Sequence, residues 1–544
     1  MRFAAQRKPI PPRIFLWIEA STASCPDLEN HLNRRAILTA LSMAGLLPGV
    51  SPASIRAARA ADAPTHLFDD TTVREMAREL ASKPFAAPDE RLPGPLSDLG
   101  YDQYRTIRYD AQRALWRDRN LPFQMQPFHR GFLFKQKVEL FEVAEGRASP
   151  IAYDPAAFTL SEVGGAPAGD LGFAGFRLTH PMNRADHFDE VAAFVGASYF
   201  RAVGRGHIYG LSARGLAIGT AERSGEEFPV FRAFWLQRPQ DGGSSAVVHA
   251  LLDSRSTTGA FRFTIRPGEE TAFDVECRLY PRAEISTAGI APLTSMFLLS
   301  PLDRLGTDDY RTAVHDSDGL MLSTGRGEAI WRPLANPREL QVSVFADANP
   351  RAFGLMQRRR AFHDYNDLEA RYERRPGAWV EPIGDWGEGA VHLVEIPTRE
   401  EIHDNIAAFW RPRAPLRPGQ EYSYVYRLHW TSAAAFAAGG RPAPAQFQEA
   451  RQGGKPQQQG TRLFVLEVAG GRLAALAGGA QPAAEVSASA GKIENVVVQR
   501  NPETGGWRLS FELMPGTEKL VELWARLKDD EGPLSETWLF RWTP

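Results

Sequence analysis

Turn residues recur too closely along this chain to leave room for long helices. Glycine (47) and proline (40) break 544 residues into short stretches, and between the breaks apolar and polar side chains alternate. In "GFLFKQKVELFEV", Phe134, Gln136, Val138 and Leu140 fall on one parity, and "VVHALLDS", "FRFTIRPG" and "FDVECRLYPR" follow with turn residues between them. A two-residue repeat sends alternate side chains to opposite faces of a strand, so the pattern predicts an all-β fold with short connections. The 31 phenylalanines and 12 tryptophans are the bulky side chains such sheets bury. One helix is predicted near the start, within Leu67–Phe85, with Asp69 and Asp70 at its beginning. The length exceeds one ordinary core, so two domains are expected.

The first sixty residues follow other rules. Arg34 and Arg35 precede the apolar run Ala36–Val50, and Ala58-Arg59-Ala60 offers a small-x-small cleavage pattern. That combination predicts export to the periplasm by the twin-arginine route. The run falls short of the roughly 20 residues a bilayer-spanning helix needs, so no permanent anchor is expected. With 8 basic and 3 acidic residues in residues 1–60, the remainder has a formal net charge of −7, which argues against nucleic acid as a partner. Cys25 leaves with the signal, and Cys277 alone cannot form an internal disulfide.

Residues 61–432 read as the large domain. "GRPAPAQFQEARQGGKPQQQG", Gly440–Gly460, is polar and rich in glycine, proline and glutamine, so residues 433–460 are expected to be a loop or linker. Beyond it, "RLFVLEVAG", "KIENVVVQRN", "GWRLSFELMPG" and "SETWLFRWTP" are evenly spaced strands, which suits a small immunoglobulin-like sandwich over residues 461–544.

No cofactor or metal is called for by the motifs. "GRGHIYG" (204–210) has its third glycine one residue late for a dinucleotide fingerprint and reads as a tight turn, and no HExxH pair occurs. Carboxylates and aromatics remain. Between residues 316 and 410, Asp316, Asp318, Glu373, Asp385, Glu401 and Asp404 lie among Trp331, Tyr372, Trp379, Trp386 and Trp410. Flat rings can cover the apolar faces of sugars while acids and arginines bind hydroxyl edges, so Trp331, Trp379 and Trp386 are candidate platforms. Paired acids are also the minimum equipment for breaking a glycosidic bond. Against this, a tryptophan taken alone is more often core than platform.

The segments "LGFAGFRL" (171–178), "GASYFRAVGRGHIYGLSARGLAI" (196–218), "SGEEFP" (224–229), "APLTSMF" (291–297), "HDSDGL" (315–320), "WRPLANP" (331–337), "DLEARYERRP" (367–376), "VEIPT" (394–398) and "HDNIAAFW" (403–410) resemble, in order, the glucan biosynthesis protein G/D family of osmoregulated periplasmic glucans. The resemblance runs from about Phe68 to Thr543, and the export signal leans towards the D branch. It implies a large galactose-mutarotase-like β-sandwich followed by a small immunoglobulin-like one. It also implies action on β-1,2-glucan with anomeric inversion, by hydrolysis or by transfer to a sugar hydroxyl, cyclisation included. Asp404 corresponds to the family's general acid and Asp316 to its general base; Glu401, Tyr372 and Arg374 fall in segments that line its glucan cleft. The acid's pKa is expected to be raised by partial desolvation and by neighbouring carboxylates such as Glu401. Two departures stand out: Ile402 replaces a threonine that could hold a relay water, and Phe447 is the only aromatic residue in the segment where relatives carry a covering tryptophan. A role from another class stays open, a non-catalytic scaffold presenting nascent glucan to a membrane-bound synthase. A homodimer is compatible with the sequence.

Overall fold

The computed structural model describes residues 65–544 apart from 164, 166–168, 305–306, 434–442, 456–457, 475 and 477–479. The expected export signal in residues 1–60 lies outside the described residues. Two facing layers of strand make the large domain. One runs, neighbour by neighbour, through Gln341–Ala348, Glu388–Glu395, Ile406–Pro412, Ala288–Ser295, Ser212–Arg214, Tyr199–Ala202, Asp189–Val195, Phe173–His180 and Gln124–His129. The other is centred on Val230–Gln237, Ala246–Asp253, Thr257–Arg266, Thr271–Pro281, Tyr422–Thr431 and Gly377–Ile383.

Alternation explains why these layers face each other. In Thr271–Pro281, Phe273, Val275, Cys277 and Leu279 are buried while the residues between them are partly exposed. Their inward face meets Phe176, Phe194 and Phe200 of the first layer: the Phe200 and Phe273 rings stack at 5.9 Å, and Phe194 meets Phe263 edge-on at 5.2 Å. Aromatic pairs in such geometry add to what area burial alone supplies. The predicted helix forms over Thr72–Ala81, with Asp69 Oδ1 accepting hydrogen bonds from the backbone N–H groups of Thr71 and Thr72. Its buried Val73 and Ala77 pack with Trp235, Leu251 and Ala260 against the second layer.

The C-terminal domain is a second, smaller sandwich. Gln446–Lys455, Gln458–Ala469, Trp507–Met514 and Lys492–Arg500 form a four-stranded sheet. Val521–Asp529, Thr537–Trp542 and Ala483–Ala488 form the facing layer, with Phe464, Phe511, Trp538 and Phe540 between the two. Two expectations need correcting. The segment read as linker 433–460 contributes the strand Gln446–Lys455, in which only Phe447 and Ala450 turn inward; so thin an apolar signal was masked by the glycines and glutamines around it. Phe447 itself is 1% exposed in the small core, so it covers no cleft.

Nor are the two domains separate bodies joined by a tether. Thr537–Trp542 pairs in parallel with Ala329–Pro333, placing Trp538 opposite Trp331, so one sheet continues through both domains. At the seam the fully buried Glu536 carboxylate accepts hydrogen bonds from Arg358 Nη1 and Nη2 at 2.5 and 2.8 Å and from Phe447 N at 2.7 Å. The Arg358 guanidinium lies 3.6 Å from the centre of the Trp331 ring. Removing one member of a buried pair leaves the other charge uncompensated. Glu536→Ala is therefore expected to lower the unfolding free energy by about 3–5 kcal/mol in chemical denaturation, and the double change Glu536→Leu with Arg358→Met by clearly less.

Candidate functional site

The site is built on one short piece of backbone, Met296–Phe297. The two-residue strand Val314–His315 pairs with Phe297–Leu299, and Asp316, immediately after it, donates its N–H to Met296 O at 2.8 Å. From the other side the Asn405 side chain grips Phe297 twice: its Oδ1 accepts from Phe297 N at 2.8 Å and its Nδ2 donates to Phe297 O at 3.0 Å. The same Nδ2 donates to Ile396 O at 2.9 Å. Asn405 thus fixes the turn before the strand Ile406–Pro412, whose Ile406, Ala408 and Trp410 enter the core. Asp404 stands one residue before that anchor.

Charge around the acids is balanced by arginines. Arg375 Nη1 donates to Asp316 Oδ1 at 2.5 Å, its Nε donates to Ala370 O, and its guanidinium lies 4.4 Å from the centre of the Tyr372 ring. Asp404 keeps an opening to solvent, yet protein crowds it closely enough that desolvation is the largest influence on it. Desolvation and the charge of Asp316 push its pKa up to about 7, against the pull of Arg201 and Arg375. Burial pushes Tyr199 up to about 12, and Asp404 contributes to that shift. A close approach makes room for Arg375: a Cβ added to Gly210 would sit 2.9 Å from Arg375 Cβ, so the 204–210 turn needs glycine there.

Glu401 joins the site differently from what was expected. Its carboxylate pairs with Arg311 at 2.8 Å and accepts from the Tyr372 hydroxyl at 3.3 Å, while Arg311 also holds Asp309 and Asp367. The carboxylate that raises Asp404 is Asp316, while Glu401 pairs with Arg311. Tyr372 is buried beside Arg375, whereas Arg374 is exposed and donates from Nε and Nη2 to Gly206 O.

The three candidate platforms require correction. Trp331 is 4% exposed beneath Arg358, Trp379 is 2% exposed in the same cluster, and Trp386 packs against Trp410, Tyr424 and Tyr426 in the large core. None offers a free ring face, since burying so large an apolar surface outweighs displaying it. Of the other acids, Asp385 accepts from Gly387 N as a turn former and Glu373 pairs with Arg371. Asp318 faces His315, at 3.6 Å, and the backbone N–H groups of Arg358 and Arg359.

Several contributors escaped the sequence reading. Arg375 is the second of two adjacent arginines in "YERRP", and adjacency says nothing about which one turns inward. Arg201 left a clearer trace, as a charge inside the strand Tyr199–Ala202, where alternation sets it on the face opposite the core residue Phe200. That outer face also carries Ser212, Arg214 and Thr294, with buried polar atoms that have no hydrogen-bond partner among the described residues. A hollow of about 410 Å³ lined by Phe68, Val143, Gly146 and Arg238 holds none of the candidate acids.

A β protein of two sandwiches that brings a pair of acids together among arginines is the class these features define. Residues 68–542 match the family model described as "Periplasmic glucan biosynthesis protein, MdoG", and the chain belongs to that family. A glucans biosynthesis protein G from Rhodopseudomonas palustris is 54% identical over 517 residues, covering 94% of this chain and all of the relative. The one from Bradyrhizobium diazoefficiens is 52% identical with the same coverage, and one from Vibrio cholerae is 50% identical over 88% of each chain. All three carry the G name, so the leaning towards the D branch has no support. The family is named for the periplasm, and among the described residues no helix is long and apolar enough to cross a membrane.

A carboxyl whose folded pKa lies above its ordinary value of 3.8 favours the protonated native state, so it lowers stability as pH rises from about 4 through about 7. Asp404→Asn removes that penalty. Its Tm is expected to exceed that of the parent by about 2–4 °C at pH 8, with the gap closing near pH 4 in calorimetric scans.

Proposed function

We propose that this protein cleaves β-1,2-glucan with inversion at the anomeric carbon, passing the released chain to water or to a sugar hydroxyl. The observation that carries the reading is the inequality of the two acids. Desolvation and the neighbouring Asp316 push the Asp404 pKa up to about 7, whereas Asp316 is ion-paired to Arg375. One carboxyl whose proton is favoured and a second that pairs with a guanidinium are what general acid and general base catalysis require. Asp404 protonates the glycosidic oxygen as the C–O bond breaks. Asp316 takes up the proton of the attacking hydroxyl, directly or through the sugar and solvent hydroxyls between them.

The surroundings support a carbohydrate chain as the ligand. Asp404 and Glu401 are partly exposed and Arg374 is exposed, so acceptors and donors for the hydroxyls of a polyhydroxylated ligand stand at the surface beside the buried pair of Asp316 and Arg375. Family membership supports glucan as that ligand. Ile402, 53% exposed, cannot hydrogen-bond a relay water, which favours transfer to a sugar hydroxyl over hydrolysis.

Incubation of purified protein with linear β-1,2-glucan, read by mass spectrometry, is expected to give shorter chains, or rings lacking one water. Untouched glucan would overturn catalysis and leave a binder. Asp404→Asn should abolish turnover, by about 10³-fold or more, while glucan affinity stays within about threefold. Because the acid must be protonated, kcat should fall as pH rises through about 7.

A further inference from the structure

Three exposed apolar side chains stand at the edge of the site, and each is the chain neighbour of a residue in one ion-pair node. Arg311 reaches Asp367 and Glu401 with Nη1 and Asp309 with Nη2, each at 2.8 Å. Next to those residues come Tyr310, 79% exposed, Leu368, 76%, and Ile402, 53%. They are three of the five most exposed large apolar side chains among the described residues, in a molecule that covers nearly all of its tryptophans. Drawing the charged groups together turns the neighbouring apolar groups towards solvent.

Tyr310 sits on a loop that is pinned along its length. Leu302 is buried in the cluster that joins the domains, and its O accepts from Gln452 Nε2 of the small domain at 2.7 Å. Asp303 Oδ2 accepts from Asn336 N at 2.7 Å, and the Arg304 guanidinium donates to the carbonyls of Asp309 and Arg311, on either side of Tyr310. The Tyr310 hydroxyl donates to Asn366 O at 3.5 Å, and the Arg311 guanidinium lies 6.0 Å from the centre of its ring. A ring held in this way gives up little further freedom when a ligand settles on it. From Arg311 the contacts run inward to the acids. Glu401 accepts from the Tyr372 hydroxyl, the Tyr372 ring lies 4.4 Å from the Arg375 guanidinium, and Arg375 pairs with Asp316. Tyr310 is thus the outer end of a continuous path of contacts that begins at the candidate base.

The exposed charges flanking the three apolar residues are Asp308, Glu369 and Glu400 against Arg399. An acidic balance disfavours an anionic ligand and offers acceptors to hydroxyl groups. Apolar side chains set singly among such acceptors match the C–H faces and hydroxyl edges of a sugar chain, whereas a protein partner calls for a contiguous apolar centre. Resting on the glucan reading above, we propose that Tyr310 is a stacking platform for a glucosyl residue of the bound chain away from the bond being cleaved, with Leu368 and Ile402 as its apolar flanks. The ring touches none of the reacting atoms, so it governs how firmly long chains are held and leaves the chemical step to the acids.

Calorimetric titration of the whole protein with linear β-1,2-glucans of defined length, beside steady-state cleavage of the same chains, tests this. Tyr310→Ala is expected to weaken the affinity for long chains, and to raise their KM, about tenfold, while the shortest chains that bind are held as by the parent. Tyr310→Phe keeps the ring and should stay within about twofold of the parent. Both variants should unfold at the parent temperature, because the side chain is exposed. Parent affinity for long chains in Tyr310→Ala would overturn the platform. So would a Tyr310→Phe variant as weak as Tyr310→Ala, since the effect would then belong to the hydroxyl and Asn366. A parent that binds glucan without cleaving it removes the catalytic reading alone, and the same affinities still decide the platform. A parent that binds no glucan overturns both.

Discussion

Both candidate acids hang from the same two residues of backbone. Met296 O holds the N–H of Asp316, and the Phe297 peptide groups hold the side chain of Asn405, one residue after Asp404. Their mutual position is therefore set by hydrogen bonds to one rigid segment, instead of by two loops moving independently. Asn405 is 2% exposed and its side chain is tied through both Oδ1 and Nδ2, so substitution there would release the turn that presents Asp404. A site that depends on the relative placement of two proton-transfer groups needs this kind of shared mounting.

Electrostatics then separates two residues of the same chemical type. Asp316 is nearly buried but meets Arg375, whereas Asp404 is crowded and faces Asp316. Glu401, the acid nearest to Asp404 along the chain, pairs with Arg311 and accepts from the Tyr372 hydroxyl, and the charge that raises Asp404 is that of Asp316. Proximity along the chain is a poor guide to which charges interact, because a carboxylate pairs with whichever guanidinium the fold delivers.

The small domain is tied to the segment that carries Asp316. Arg358 reaches Glu536 with its guanidinium, while its own N–H donates to Asp318 Oδ2, two residues from Asp316. Along that route the strand Thr537–Trp542 extends the large sheet, and Trp331 and Trp379 are buried in the cluster that joins the domains. Tryptophans that composition offered as sugar platforms are thus spent on packing, a use consistent with how rarely so large an apolar side chain is left uncovered.

Alternating side chains with frequent turns were enough to read an all-β fold and a small C-terminal sandwich, because strand periodicity is a local property recorded at every second residue, whereas the large sandwich was implied by the family resemblance. The first helix and the tight turn at 204–210 were legible for the same reason. The strand Gln446–Lys455 was not, since only Phe447 and Ala450 mark its buried face. Motif resemblance singled out Asp404, Asp316, Tyr372 and Glu401, and the structure brings these into one constellation. What only the tertiary structure decided was which arginine of the pair Arg374 and Arg375 turns inward, which carboxylate acts on Asp404, and which tryptophans are covered. Those outcomes depend on contacts between residues 59 to more than 100 positions apart, such as Arg375 with Asp316 and Asn405 with Phe297, and no local pattern encodes them.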